Sequence, residues 1–179
     1  MADESPIIMG IDPGIGHTGV GFIRAHRARP RYIYDGAITT KKAANRGVNE
    51  DIRERALFIA HALDAWICSV DPTILVVEEF SYNPNAAGAQ RAAISTPLLL
   101  GVILDLSRFH CLEYIGLQAR SIRKLVHGHA GSKKRPVSKA DVAESVRRHL
   151  DRKPKNHHSS DALAAAIAGA AVWREGKLK

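Results

Sequence analysis

Three acidic residues and one histidine stand where predicted secondary-structure elements begin or end. Asp12 closes the apolar run "IIMGI", and Glu78 closes the apolar run "TILVV". If these runs are neighbouring strands, the two carboxylates meet at one sheet edge, where ligand sites form in open α/β sheets. Asp161 follows His158 by three residues near the start of a predicted helix, so the two share a face. Three carboxylates and an imidazole in a partly open site suit Mg²⁺ or Mn²⁺.

Each of these residues also has a simpler interpretation. Asp12-Pro13-Gly14 is good turn chemistry, and Glu78 beside Glu79 is compatible with ordinary solvated charge. Asp161 suits a helix start, where the helix dipole favours an acid, and the histidine pair before it is more typical of a surface. Their joint placement favours a metal site, because an aspartate beside apolar side chains needs a compensating charge.

The first half of the chain contains both strand and helix patterns. Short β-rich runs at 7–11, 18–25 and 32–40 predict an antiparallel meander. Apolar residues then recur at spacings of three and four over 52–70, which predicts an amphipathic helix that ends at Asp71-Pro72. A buried strand is predicted over 73–80.

The second half alternates helices with a further strand. Thr96-Pro97 predicts the start of a largely buried helix. Ser138 opens the helix-capping signature S-x-x-D. The remaining predicted elements are a strand over 110–115, a helix over 121–127 and an alanine-rich helix from near Asp161 to Ala171. This alternation predicts an α/β fold, a mixed sheet flanked by helices.

Length and charge narrow the class of protein. The chain has 179 residues, of which 45% are hydrophobic. It is therefore expected to form one globular domain over 1–179. The formal net charge of +8 favours an anionic partner. Twelve Lys or Arg against three Asp or Glu fall within 120–155, so the remainder is slightly acidic. Such a local patch favours contact with nucleic-acid phosphates over a merely solubilising loop.

The cysteines and the N-terminus bear on location. Cys68 and Cys111 lie inside apolar runs without a C-x-x-C spacing, which predicts buried thiols in the reducing cytoplasm. No signal-peptide pattern is present, and no apolar run approaches the ~18 residues of a membrane span. No membrane partner is expected.

Four segments together match a known family. They are "MGIDPGIGHTGVGFI", "DPTILVVEEF", "SIRKLVHGHAGSKKRPVSKADVAESV" and "HHSSDALAAAIAGA". In order and spacing, from Ile7 to Ala171, they resemble the RuvC family of Holliday-junction resolvases in the ribonuclease H-like superfamily. The resemblance implies a five-stranded mixed sheet flanked by helices. It also implies a homodimer that cuts four-way DNA junctions symmetrically in recombination and repair.

The resemblance further assigns roles to individual residues. The four metal-binding positions of the family fall on Asp12, Glu78, His158 and Asp161. They imply two Mg²⁺ or Mn²⁺ ions per subunit, with Glu79 as a close rival of Glu78. Many members carry aspartate at the position of His158 and some carry histidine, which lowers the negative charge of the site by one and favours Mn²⁺ over Mg²⁺. Lys139 matches the catalytic lysine of the family and would offset charge on the reacting phosphate.

Basic and aromatic residues are the candidates for DNA contact. They are Arg123, Lys124, Lys133, Lys134, Arg135, Lys139, Phe80 and Tyr82. Arg123 or Lys124 matches a second basic position of the family. Phe80 and Tyr82 are rivals for the aromatic residue that stacks at the junction centre.

Two other functions remain open at this stage. One is a ribonuclease H-like nuclease that acts on RNA–DNA hybrid or other branched nucleic acid. The other is a junction-binding protein whose catalysis is weakened by His158. Bacterial members of the family work with a branch-migration helicase, and no motif in this chain indicates that contact.

Overall fold

Five strands and five helices form in the described residues, which in this computed structural model are 5–80, 89–132 and 137–176. The strands are β1 (Ile7–Asp12), β2 (His17–Arg24), β3 (Arg31–Thr39), β4 (Ile74–Glu78) and β5 (Glu113–Leu117). The helices are α1 (Val48–Val70), α2 (Ala89–Phe109), α3 (Ala119–His127), α4 (Lys139–Leu150) and α5 (His157–Arg174). All five predicted strands form, with boundaries shifted by at most three residues.

The strands make one mixed sheet in the order β3-β2-β1-β4-β5. The first three strands are an antiparallel meander, whereas β1, β4 and β5 run parallel. Parallel neighbours end at the same edge of a sheet. The C-terminal ends of β1 and β4 therefore lie side by side, and the predicted mixed α/β sheet is confirmed.

Helices cover both faces of the sheet. Met9 and Ile11 of β1 point into the core that α1 and α2 share, while Ile8 points into the core shared with α3, α4 and α5. Because strand side chains alternate between the faces, even-numbered residues of β1 face α5. Burial on both sides explains why β1 and β4 are apolar throughout rather than alternating.

Helix α5 packs directly on the backbones of β1 and β2. A Cβ atom at Gly10 would overlap the carbonyl oxygen of Ala162 and come within 2.6 Å of the backbone nitrogen of Ala166. A Cβ atom at Gly19 would overlap the carbonyl oxygen of His158. Glycines in the strands and alanines in the helix therefore permit an approach that larger residues would prevent.

Two predicted helix starts are wrong. Helix α5 begins at His157 rather than near Asp161, because Asn156 caps it and accepts a hydrogen bond from the Ser159 backbone at 2.9 Å. In the described residues, helix α2 extends over Ala89–Phe109, and Pro97 lies inside it. A proline within a helix removes one backbone donor, a cost that tertiary packing offsets here.

The predicted burial of the thiols is also wrong, since Cys68 and Cys111 are both exposed. Cys68 lies off the buried stripe of α1, and Cys111 follows α2 in a left-handed conformation with φ of 54°.

In the described part of the chain, one helical segment, Ala92–Phe109, is long and apolar enough to cross a membrane, judged by length and composition alone. Its mean hydropathy is 1.5, and 22% of it is buried.

Candidate active site

Asp12 and Glu78 are the last residues of adjacent parallel strands. Ile11 pairs with Val77, so the next residue of each strand stands at the same edge. Alternation places both carboxylates on the face that α5 covers. The carboxylate of Glu79 instead lies beside Gly116 of β5, and Glu79 is exposed.

The two carboxylates open into a pocket of about 150 Å³. The residues lining it are Asp12, Glu78, Ala119, Ile122, Arg123, Val137, Ser138, Lys139, Val142, Asp161 and Ala164. The pocket thus unites the ends of β1 and β4 with the starts of three helices. Glu78 is part of it and Glu79 is not.

Helix α5 brings its own two site residues over this edge. The Nδ1 atom of His158 lies 3.3 Å from Oδ2 of Asp12, and these side chains are 23% and 25% exposed. Asp161 lies one turn further on and accepts a hydrogen bond from Nζ of Lys139 at 3.1 Å. The structure therefore brings all four predicted ligands and the predicted lysine together.

Lys139 owes its position to the start of α4. The Ser138 side chain accepts a hydrogen bond from the Asp141 backbone at 3.2 Å, and the Ser138 backbone donates to Asp141 at 2.8 Å. This reciprocal capping box confirms the predicted helix start. It aims the first helical residue, Lys139, at Asp161.

The pocket concentrates negative charge out of water. Burial, and then the charge of Asp161, raises the pKa of Asp12 to about 6. Burial, and then the charges of Asp12 and Asp161, raises the pKa of Glu78 to about 7. Lys139 lowers both values, and Arg123 lowers that of Glu78, without restoring either to its ordinary value. The pocket is therefore a place where a further cation is favoured.

The donors fit a divalent metal. Carboxylate oxygens are the ligands that hard divalent cations take. Burial, followed by nearby His157 and His17, lowers the pKa of His158, which keeps the imidazole neutral and able to coordinate. Among the described residues, donor atoms of three side chains converge within 4.8 Å only at a different cluster.

The predicted DNA-contact residues separate into different places. Arg123 lines the acidic pocket, whereas Lys124 lines a neighbouring pocket of about 410 Å³ together with Arg120 and His129. Phe80 is partly buried just beyond β4 and does not line the acidic pocket. The predicted contacts that lie outside the described residues are Tyr82, Lys133, Lys134 and Arg135.

Two further histidines adjoin the site and were not predicted. The ring of His17 stacks on that of His158 with centroids 4.8 Å apart and an angle of 16°. The ring of His157 lies 4.0 Å from that of His158. In the sequence, His17 stands out only as a histidine that follows the glycine-rich turn after Asp12. Folding is what brings it next to His158 of α5.

A buried aspartate that the sequence analysis missed holds the start of α5. Asp35 of β3 is 1% exposed. It accepts hydrogen bonds from the Lys155 backbone at 2.8 Å and from the Tyr32 hydroxyl at 2.7 Å. Ser159 also hydrogen-bonds to this carboxylate. The available signal was an acid in the middle of the strand "YIYDGAI".

Comparison with known proteins gives consistent matches along the chain. The profile of a family described as crossover junction endodeoxyribonuclease RuvC matches residues 8–169. The protein of that name from Treponema denticola is 32% identical over 164 residues, covering 90% of this chain and 84% of that protein. The one from Pseudarthrobacter chlorophenolicus is 28% identical over 170 residues, covering 94% and 81% respectively.

A solved structure gives the same result in three dimensions. The structure described as T. thermophilus RuvC in complex with Holliday junction substrate superposes with a TM-score of 0.79 at 25% identity. The superposition covers 97% of this chain and 98% of that chain. The likeness therefore extends over the whole sheet and both helical layers.

Proposed function

The chain belongs to the RuvC family of crossover junction endodeoxyribonucleases, and we infer from this membership that it resolves four-way Holliday junctions. It is an endonuclease of DNA recombination and repair with a ribonuclease H-like fold. The observation that carries the inference to individual residues is the acidic pocket where β1, β4 and α5 meet. We propose one nuclease domain over 1–179, in which this pocket is the active site.

Membership in this nuclease family implies dependence on a divalent metal. We propose Mg²⁺ or Mn²⁺, two ions per subunit, held by Asp12, Glu78, His158 and Asp161. When bound, such ions polarise the scissile phosphate and lower the pKa of the attacking water. The raised pKa values of Asp12 and Glu78 support the proposal, because a cation would relieve the repulsion that causes them.

The protein's own cations act on the phosphate. The side chain of Lys139 is 71% exposed, and its Nζ forms an ion pair with Asp161 at 3.1 Å. Lys139 can therefore turn toward a phosphate oxygen while it stays at the pocket. Arg123 lines the same pocket. We propose that Lys139 offsets charge that develops on the reacting phosphate, as fixed donors do in other sites. Arg123 would orient the same backbone, and Lys124 would bind a neighbouring phosphate.

The rest of the proposed DNA surface is the basic segment that follows. Lys133, Lys134 and Arg135 carry consecutive positive charges next to α4 in sequence. Their charge supports backbone contact, which is sequence-independent and salt-sensitive. Phe80 and Tyr82 remain the proposed aromatic contacts at the junction centre.

An exposed apolar face supports a homodimer. Large side chains of α1 and α2 point to solvent, namely Leu57, Phe58, Ile94, Leu98, Leu104 and Phe109. The two helices contact each other, and exposed apolar surface concentrated on adjacent helices marks an interaction site. We propose that a second copy covers this face, since a two-fold dimer provides one active site for each of two symmetric cuts. The dimer also accounts for the low burial of the apolar segment Ala92–Phe109 of α2, which is 22%. We propose that the protein acts in the cytoplasm.

A branch-migration helicase is a further proposed partner, on the basis of the family alone. Pull-down of such a motor with junction-bound protein, compared with free protein, tests the proposal.

Substrate choice is the direct test of function. The purified protein is incubated with a four-way junction, a linear duplex and an RNA–DNA hybrid, with Mg²⁺ or Mn²⁺. Symmetric nicks in the junction, and little cleavage of the duplex, are expected. Preferred cleavage of the hybrid would favour the broader ribonuclease H-like activity, and junction binding without cleavage in either metal would favour a binding protein.

A further inference from the structure

A second cluster of metal-ligand side chains lies far from the acidic pocket. It consists of Asp64 and Cys68 of α1 and His110, which directly follows α2. Both helices lead into the N-terminal ends of parallel strands, β4 and β5, whereas Glu78 stands at the C-terminal end of β4. The cluster is therefore at the opposite edge of the sheet, and the nuclease chemistry does not use it.

The three side chains are already close together. Asp64 and Cys68 are four residues apart on α1, so they share a face. Nε2 of His110 donates to Oδ1 of Asp64 at 2.6 Å. One donor atom from each of the three side chains lies within 4.8 Å of the other two. The imidazole is only 17% exposed, and its ring meets the edge of Phe109 with centroids 5.1 Å apart.

We propose that this cluster is a zinc site. A thiolate, an imidazole and a carboxylate are the three donor types that Zn²⁺ takes in proteins, at about 2.3, 2.0 and 2.1 Å. Those bond lengths in a tetrahedron put the donors roughly 3.5 Å apart. The donors of His110 and Asp64, now 2.6 Å apart, would therefore separate by about an ångström around the ion, and the donor of Cys68 already lies within 4.8 Å of both. Water would take the fourth position, because Cys68 faces solvent.

Binding exchanges a proton for the ion. The proton on Nε2 of His110 would pass through solvent to Nδ1, so that Nε2 could bind Zn²⁺, and the thiol of Cys68 would lose its own proton to water. The site would join the C-terminal end of α1 to the residue after α2. A metal there would stabilise the pair of helices that carry the exposed apolar face. A purely structural hydrogen bond between Asp64 and His110 would not involve Cys68, whereas a zinc site uses all three side chains.

Cobalt spectroscopy on the full chain tests the proposal. The reduced protein is stripped of metal and titrated with Co²⁺, whose bond to a thiolate gives a charge-transfer band in the near ultraviolet. We expect one such band per chain, which Zn²⁺ then removes by displacement. Co²⁺ held by carboxylates in the acidic pocket gives no thiolate band, so this result is independent of the proposed nuclease site.

The chain supplies a matched control. Cys111 is also exposed and follows His110 directly, but it is not part of the cluster. The band is expected to vanish in Cys68→Ser and His110→Ala and to persist in Cys111→Ser. Zinc should likewise raise the Tm of wild type and Cys111→Ser but not of Cys68→Ser. Absence of the band in reduced wild type, or its persistence in Cys68→Ser, would overturn the proposal.

Discussion

The Nδ1 atom of His158 lies 3.3 Å from Oδ2 of Asp12, although 146 positions separate the two residues in the chain. The contact joins the end of the central strand to the first turn of the last helix. It exists because α5 lies directly on glycine backbone in β1 and β2. The geometry of the candidate active site therefore depends on residues that do no chemistry.

Gly19→Ala tests that dependence. The new methyl group would overlap the His158 carbonyl and lie 3.2 Å from its Cβ atom, so the start of α5 must move. We expect loss of most junction cleavage and destabilisation by about 1–3 kcal/mol, as for overpacked cores. Cleavage assays and urea unfolding measure the two effects.

Gly16→Ala is the matched control, in the turn just before β2. The nearest heavy atom to its Cβ would be Nη2 of Arg55 at 3.7 Å, an ordinary contact. Near-normal cleavage is expected. Equal loss in both variants would mean that the turn, and not the seating of α5, controls activity.

Asp12→Asn is expected to stabilise the metal-free protein while abolishing cleavage. Burial raises the pKa of Asp12 to about 6, so the folded state holds this proton more tightly than the unfolded state. Stability from this group is complete below about pH 4 and is lost as pH rises through about 6. Removing the charge therefore gains about 3 kcal/mol at pH 8 and about half of that at pH 5, at 1.36 kcal/mol per pKa unit.

Urea unfolding in chelator at pH 5 and pH 8 measures this gain. Adding Mg²⁺ or Mn²⁺ should reverse the order, since the ion stabilises wild type more than the variant. An Asp12→Asn protein that is less stable than wild type at pH 8 without metal would contradict the electrostatic account of the pocket.

Asp35→Asn should weaken the attachment of α5. Burial alone would raise the pKa of Asp35, but hydrogen bonds from Ser159, Lys155 and Tyr32 outweigh it and lower the pKa. Its contribution to stability is therefore present above the unfolded pKa of about 3.9 and is lost as pH falls through the folded value. We expect a loss of about 1–3 kcal/mol at pH 7, because the amide leaves buried donors poorly matched.

Tyr32→Phe is the companion variant. It removes one donor and keeps the carboxylate with its bonds to Lys155 and Ser159. A smaller loss, about 1 kcal/mol, is expected in urea unfolding at pH 7. If both variants unfold like wild type, Asp35 does not hold the helix start.

Ile94→Glu tests the proposed dimer. Ile94 is 55% exposed on α2, so a charge there is tolerated in the monomer but not against an apolar partner face. Sedimentation should show a dimer for wild type and a monomer for the variant, with junction cleavage reduced. Ile33→Glu, 37% exposed on the edge strand β3, is expected to stay dimeric. A monomeric wild type, or a dimeric Ile94→Glu, would contradict the interface.

Much of this arrangement was predictable from the sequence because apolar residues follow either the alternation of a strand or the three- and four-residue spacing of a helix. Apolar runs identified all five strands, and the position of Asp12 and Glu78 at strand ends placed both at one edge. The alternation of strand side chains also explains Glu78 rather than Glu79 in the pocket, since even-numbered residues of β4 face α5. The sequence pattern therefore predicted those elements whose position is set by the burial of their apolar side chains.

Other features depend on contacts that no local pattern carries. Pro97 resembles a helix start but lies inside α2, where packing overrides its missing donor. Asp35 and His17 acquire their roles only when β2 and β3 come to lie against the start of α5. The exposure of Cys68 depends on which side of α1 faces the sheet, which apolar content alone did not decide.

Comparison of Glu78→Gln with Glu79→Gln tests the central claim most directly. Both changes replace one carboxylate by an isosteric amide, in neighbouring residues at the same strand end. Single-turnover cleavage of a four-way junction should fall by at least about 100-fold in Glu78→Gln, the scale expected when charge stabilisation at the reacting centre is lost. Glu79→Gln should cleave nearly as wild type, and both should bind the junction normally. Full cleavage by Glu78→Gln, or a loss confined to Glu79→Gln, would show that the acidic pocket is not the active site.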